Sequence, residues 1–166
     1  MLKIGKETDL QSRLIATCQS LGGFGDKIQD KYVKGKADVW LKLPSGTLIF
    51  AEVKIVRNAR YTISPEFSDL QLDYMAKLAA HAVPIIGIIF TQSPEGYVDF
   101  KISSYLELKL IFAKFKKIKY HISHFKRAHD LVEVIKEIEA FFAGSTAQTV
   151  AMNEKPLLGF FAELVE

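Results

Sequence analysis

Along residues 37–56 the chain alternates in a way that a strand explains and a helix does not. Val39, Leu41 and Leu43 interleave with Asp38, Trp40 and Lys42, the period-two pattern of a half-buried strand. Thr47 to Val56 reads as a second, more apolar strand, and Pro44-Ser45-Gly46 between them predicts a tight hairpin. A loop of this length is commonly a type I turn closed by a residue in the left-handed region, which Gly46 adopts cheaply. The turn fixes a register: Lys42 opposite Leu48, Trp40 opposite Phe50, and Asp38 opposite Glu52. Opposed residues share a face about 5 Å apart at Cβ, and Lys54 projects from that face two residues past Glu52. A bulge at Gly46 that slipped the register by one would separate them.

The rest of the chain supplies elements around this hairpin. Residues 6–21 read as a helix, with Leu10, Leu14, Thr17, Cys18 and Leu21 at helical spacing and Gly22-Gly23 as its stop. Phe24 to Val33 reads as a first strand. Gly22, Gly23 and Gly25 have no strand before them and no helix start after, so they are turn residues and not a dinucleotide loop. Ser64-Pro65-Glu66 predicts a helix start, with Phe67, Leu70, Tyr74, Met75 and Leu78 as the buried stripe. Pro84 to Phe90 is continuously apolar, as in a central strand covered on both faces. After the turn Ser93-Pro94-Glu95-Gly96, Tyr97 to Ile102 alternates like a strand nearer the edge. Residues 104–118 and 130–142 read as helices, the latter with Leu131, Val134, Ile135, Ile138 and Phe142 inward. A polar linker from Gly144 then leads to the apolar stretch 156–165, enough surface to require docking on its own domain or a second subunit.

Composition narrows the class. At 166 residues, 49% hydrophobic and 25% charged, the chain is expected to form one globular domain. No apolar run approaches a membrane span, and the first residues lack a signal peptide's apolar region, so a cytoplasmic location is expected. The single cysteine, Cys18, excludes an internal disulfide and a cysteine-based zinc site. Net charge is only +3, but its distribution is uneven. Between Glu107 and Asp130 there is no acid, while Lys109, Lys114, Lys116, Lys117, Lys119, Lys126 and Arg127 alternate with Phe112, Phe115, Tyr120 and Phe125. A segment of one sign with interleaved aromatics suits nucleic acid, though a solvated basic face is the plainer reading. His121, His124 and His129 in this segment lack zinc-site spacing, and His81 suits the negative end of the second helix.

Two carboxylates as close as Asp38 and Glu52 repel unless a cation lies between them. A divalent ion with hard oxygen ligands fits, and Mg2+ characteristically takes one or two carboxylates plus water and substrate phosphate. Lys54 beside it can stabilise developing negative charge or orient the nucleophile. A cross-strand salt bridge on a solvated face is the competing explanation. Lys36 on the approach, with Lys31 and Lys34, and Arg57 and Arg60 after the strand, suit a DNA backbone beside such a site. Glu7 shares the inward face of the first helix with Leu10 and Leu14. Alternatively, Thr8 and Gln11 form a capping box and Glu7 is solvated. Gln71, within the apolar stripe of the second helix, needs hydrogen-bond partners.

Asp38 followed by Glu52-Val53-Lys54 after a short hairpin resembles the PD-(D/E)xK nuclease superfamily. Lys34-Gly35-Lys36-Ala37-Asp38 looks like the Gly-x-x-Asp lead-in of its Holliday-junction-resolvase branch, with Ala37 where many members have proline. The resemblance spans about residues 5–102 and implies an α/β fold: a restriction-endonuclease-like αβββαβ core, its mixed sheet flanked by helices, with extra C-terminal helices. It implies residues 1–143 as the nuclease-like domain and 144–166 as a docking or dimerisation tail, since such resolvases act as two-fold dimers. It implies a Mg2+-dependent endodeoxyribonuclease, Mn2+ substituting, with Asp38, Glu52 and the Val53 carbonyl as metal ligands. Lys54 would position or activate water, and Glu7 and Gln71 would complete the site. The DNA-contacting set would be Lys36, Arg57, Arg60, Lys114, Lys116, Lys117, Lys119, Lys126 and Arg127. Branched DNA is the expected substrate, with no membrane or small-molecule partner. Sequence-specific cleavage of duplex DNA, or DNA binding without turnover, are the alternatives.

Overall fold

The structure is a computed structural model that describes residues 2–28 and 35–148. Lys31, Lys34, the end of the Phe24–Val33 strand and the apolar stretch 156–165 lie outside the described residues. Helix α1 (Glu7–Ser20) is followed by strands β1 (Phe24–Lys27), β2 (Val39–Lys42), β3 (Leu48–Arg57) and β4 (Thr62–Ile63). Then come α2 (Asp69–Ala80), β5 (Ile85–Gln92), β6 (Val98–Ser104) and α3 (Tyr105–Phe115). The short strands β7 (Tyr120–His121) and β8 (Lys126–Arg127) precede helix α4 (Leu131–Gln148).

Among the described residues the main sheet has six strands in the order β1-β2-β3-β5-β6-β8. Only β3 and β5 pair in parallel, and parallel neighbours need a crossover, which α2 provides. The expected mixed α/β architecture is therefore present. One face of the sheet (Val39, Leu41, Ile49, Ala51, Val53, Ile86, Ile88 and Phe90) packs on α1 and α4 through Leu10, Leu14, Val134, Ile135 and Ile138. The other face packs Ile85 and Ile89 on Met75 of α2 and on Leu108 and Ile111 of α3. Strand β5 is buried along nearly its whole length, as its unbroken apolar run requires.

The β2–β3 hairpin has the expected register, with Trp40 opposite Phe50 and Lys42 opposite Leu48. Gly46 N–H donates to Leu43 O and Leu43 N–H to Thr47 O, both at 2.8 Å, and Gly46 has φ +92°. The bulge is thus confined to the loop and does not slip the strands. An added Cβ at Gly46 meets nothing within 4 Å, so Gly46→Ala carries only the left-handed conformational cost. We expect a loss of about 1–2 kcal/mol in a urea titration, with the site geometry retained.

Three boundaries differ from the sequence expectation. Helix α2 starts at Asp69, not at Ser64-Pro65-Glu66, because Thr62–Ile63 pairs with Tyr120–His121 and holds the following segment off the helix. Ser68 is the cap, accepting from Gln71 N–H in a complete capping box. Phe67 therefore precedes the helix and packs toward Gly87, and Leu70 is exposed. Helix α3 stops at Phe115, where Lys116 turns left-handed (φ +59°) and lets Ile118 fold back into the core. Helix α4 runs through Gly144 to Gln148, so the expected boundary at 143/144 falls inside it. One glycine costs a helix only about 1 kcal/mol, and the buried first turns of α4 anchor it.

Candidate active site

The paired register ends at Val39 opposite Ala51; Asp38, just before it, also donates its N–H to Ala51 O at 3.1 Å and lies near enough for its charge to act on Glu52. Glu52 and Lys54 alternate with the buried Ala51 and Val53, so they face the α2–α3 side of the sheet. Glu52 is 1% exposed and its Oε1 lies 3.0 Å from Lys54 Nζ. Gln71 Nε2 donates to the same Oε1, while Gln71 Oε1 accepts from Ser68 N–H at 3.0 Å. The capping box of α2 thus fixes the amide that holds Glu52: one residue ends a helix and orients the site.

Asp38 is held from the other side. Its Oδ2 accepts from Val53 N–H at 2.7 Å, and the Gln11 side chain donates to the same carboxylate. Because Ala51 O already faces β2, Val53 two residues on presents its N–H and C=O to that edge. The Val53 carbonyl is therefore on the Asp38 side. Glu7 reaches the strand from the first turn of α1, its Oε1 accepting from Ile55 N–H at 3.1 Å. Lys6, not Thr8, occupies the cap position of α1, without a side-chain cap bond. The capping-box alternative for Thr8 and Gln11 therefore fails.

Burial raises the proton affinity of both acids. Desolvation is the main cause at Asp38, offset in part by the Val53 amide and Lys54 and reinforced by Glu7. At Glu52 desolvation and then the Asp38 charge push the carboxyl up to about 7, against the opposing pull of Lys54 and Gln71. Two neighbouring buried hard-oxygen donors that share one lysine, with a carbonyl alongside, suit an oxygen-loving divalent cation. Among the described residues no three His, Cys, Asp or Glu side chains form a ready-made cage.

The basic residues divide between two places. Lys116 and Lys117 flank a cleft bounded by residues 64–68 and the end of α3, with Gln71 inside it. Lys126 and Arg127 lie on β8, three strand positions or about 14 Å from β3, and are matched with acids: Lys126 with Glu137 at 2.7 Å and Arg127 with Asp99 at 3.0 Å. Arg127 also stacks on Tyr97, 4.0 Å from its ring centre. Arg57 donates to Gly5 O and to Gln92 Oε1. Lys114 lies over Phe115, Lys109, Lys119 and Arg60 are exposed, and Lys36 is half-buried. His121 bonds Ser123, and His129 pairs with Glu133.

Three residues at the site were not singled out from sequence for a role there. Gln11 lies four residues after Glu7, on the same helix face, a spacing that could have flagged it. Phe67 sits under Lys54, its ring centre 5.5 Å from Nζ. Gly87 pairs with Glu52 across β3–β5, and a Cβ there would come within 3.2 Å of the Phe67 ring. The glycine makes room for the ring that lies under Lys54.

No family model matches the chain, and no curated protein matches it. Among solved structures, it is similar to Hjc, a Holliday junction resolvase from Archaeoglobus fulgidus, at 14% identity and TM-score 0.51, covering 77% of this chain and 98% of that one. A VRR_NUC domain aligns at 17% identity and TM-score 0.40, over 68% of this chain and 99% of that one. At this identity the Hjc comparison speaks to fold alone: a mixed sheet flanked by helices, as in that structure, which is the α/β architecture expected from the sequence.

Proposed function

We propose that this protein is a Mg2+-dependent endodeoxyribonuclease that hydrolyses phosphodiester bonds in branched DNA, with Mn2+ able to substitute. The observation that carries the reading is the convergence of Asp38, Glu52 and Lys54 where the start of β2 meets β3, with burial disfavouring the charged form of both acids. Asp38, Glu52 and the Val53 carbonyl would hold the cation, which when bound supplies positive charge to the phosphate and acidity to water.

The chain's own residues do the rest. The Val53 amide and Gln11 pin Asp38, and Gln71 pins Glu52, so neither carboxylate must reorganise as charge develops. Lys54 orients the attacking water and stabilises the negative charge that builds on the phosphoryl oxygens. Water attacks phosphorus in line with the departing sugar oxygen; the P–O bond to that oxygen breaks and a proton passes to it. Glu7 fixes the end of β3 through the Ile55 amide. Lys116 and Lys117 line the same cleft as Gln71, and we assign them the first phosphate contacts. A homodimer would let two such sites cut paired strands.

The test is a panel of four-way junction, flap, single-stranded and linear duplex DNA incubated with Mg2+, with Mn2+ and with EDTA. We expect cleavage only with the cation, and fastest on branched DNA. Cutting of linear duplex at a defined base sequence, with junctions ignored, would replace the branched-DNA reading with a restriction-like one. Tight DNA binding without cleavage in either metal would leave a binding module.

A further inference from the structure

We infer that the cleft beside Gln71 is a subsite for an unpaired nucleotide next to the scissile phosphate, so that the substrate must carry a base outside the duplex there. The inference rests on the nuclease reading for the position of the cut. One wall is the loop ahead of α2, with Phe67; the other is the end of α3, with Phe112, Lys116 and Lys117. Gln71, which lines the cleft, bonds Glu52, and Phe67 lies under Lys54, so the cleft adjoins the catalytic residues through these two side chains.

Its chemistry is that of a single nucleotide. Phe67 and Phe112 are half-buried and give it aromatic surface, which binds the face of any base. Lys116 and Lys117 are exposed, and neither ammonium has a carboxylate partner among the described residues, which suits a flanking phosphate. Lys116 also occupies the left-handed cap position of α3, where glycine would sit without strain. Glu66 at the rim repels phosphate but can accept from a base amine, which favours a base over a second phosphate beside it. In a continuous duplex the base faces are stacked away and cannot reach the rings.

The probe is fluorescein-labelled DNA, as a flap duplex and as a continuous duplex of the same sequence, with binding followed by anisotropy in Ca2+. A second flap carries 2-aminopurine at the branch point. We expect the flap to bind at least about fivefold more tightly and the 2-aminopurine signal to be quenched. Phe112→Leu, which keeps the apolar packing, should lose the preference and the quenching. The double variant Lys116→Gly with Lys117→Gln, exposed and matched to the backbone, should weaken flap binding and lower its salt slope by about two. Equal binding of flap and duplex, or a preference unchanged in both variants, would overturn the subsite. Selective flap binding without hydrolysis in Mg2+ would overturn the nuclease reading and leave the subsite standing. Equal hydrolysis of flap and duplex, indifferent to these variants, would do the reverse.

Discussion

Asp38→Asn should reduce metal-dependent DNA cleavage by roughly a thousandfold or more while leaving the fold in place. The asparagine oxygen can still accept from the Val53 amide, as Asp38 Oδ2 does at 2.7 Å, so the end of β3 keeps its anchor. What is lost is one of two anionic donors for the cation. Charge stabilisation of several kcal/mol is at stake there, and each 1.36 kcal/mol is tenfold in rate. Lys54→Met should separate the roles. It removes the ammonium beside Glu52 but neither carboxylate, so cleavage falls by roughly 10²–10⁴ while Mn2+ binding by calorimetry survives. Circular dichroism should show both variants folded. Cleavage within tenfold of wild type in Asp38→Asn and in Lys54→Met would remove these residues from the mechanism. Loss of Mn2+ binding in Lys54→Met alone would mean that the lysine only holds Glu52 in place.

The residues that this prediction turns on were legible in the sequence because their placement is local. A three-residue loop fixed the β2–β3 register, and that register brought Asp38, one residue before β2, beside Glu52 with Lys54 next along. Gln71 was legible for a reason that survived a misplaced helix start: a glutamine in an apolar stripe must find a partner. Whether the helix began at Ser64 or Ser68 depended on the pairing of Thr62–Ile63 with Tyr120–His121, a contact between segments 58 residues apart that no local pattern shows. The same limit applies to the basic segment. Lys116 and Lys126 belong to one run of uniform sign, yet one reaches the cleft and the other pairs with Glu137 on the far edge. The intervening β7, the short 3-10 turn Ile122–His124 and β8 redirect the chain between them. Gln11 was hidden by a competing local use, since Thr8-x-x-Gln11 also reads as a capping box.

Glu52→Gln should stabilise the cation-free protein at pH 8 and leave it nearly unchanged at pH 4.5. In the folded protein the Glu52 carboxyl titrates at about 7, against 4.5 for an ordinary glutamate, chiefly because it is desolvated and faces Asp38. Below 4.5 it is protonated in both the folded and the unfolded chain, and no penalty arises. Above that, the unfolded chain ionises first, so the folded state binds the extra proton and stability falls as pH rises. The loss is complete once pH exceeds about 7. At 1.36 kcal/mol per pH unit the full difference is on the order of 3 kcal/mol. For a chain of this size that is a melting shift of about 5–10 °C. Asp38, also raised, adds to the slope in both proteins; because its charge acts on Glu52, the difference between wild type and variant reports the titration of the pair. Thermal unfolding in EDTA from pH 4.5 to 8 should show the two curves diverging through this window. Added Mg2+ should then raise the wild type at pH 8 and not the variant, since a cation bound to the ionised pair stabilises the fold by mass action. Parallel pH profiles would mean that Glu52 is not strained by its burial, and the argument for a cation between the two carboxylates would lose its electrostatic basis.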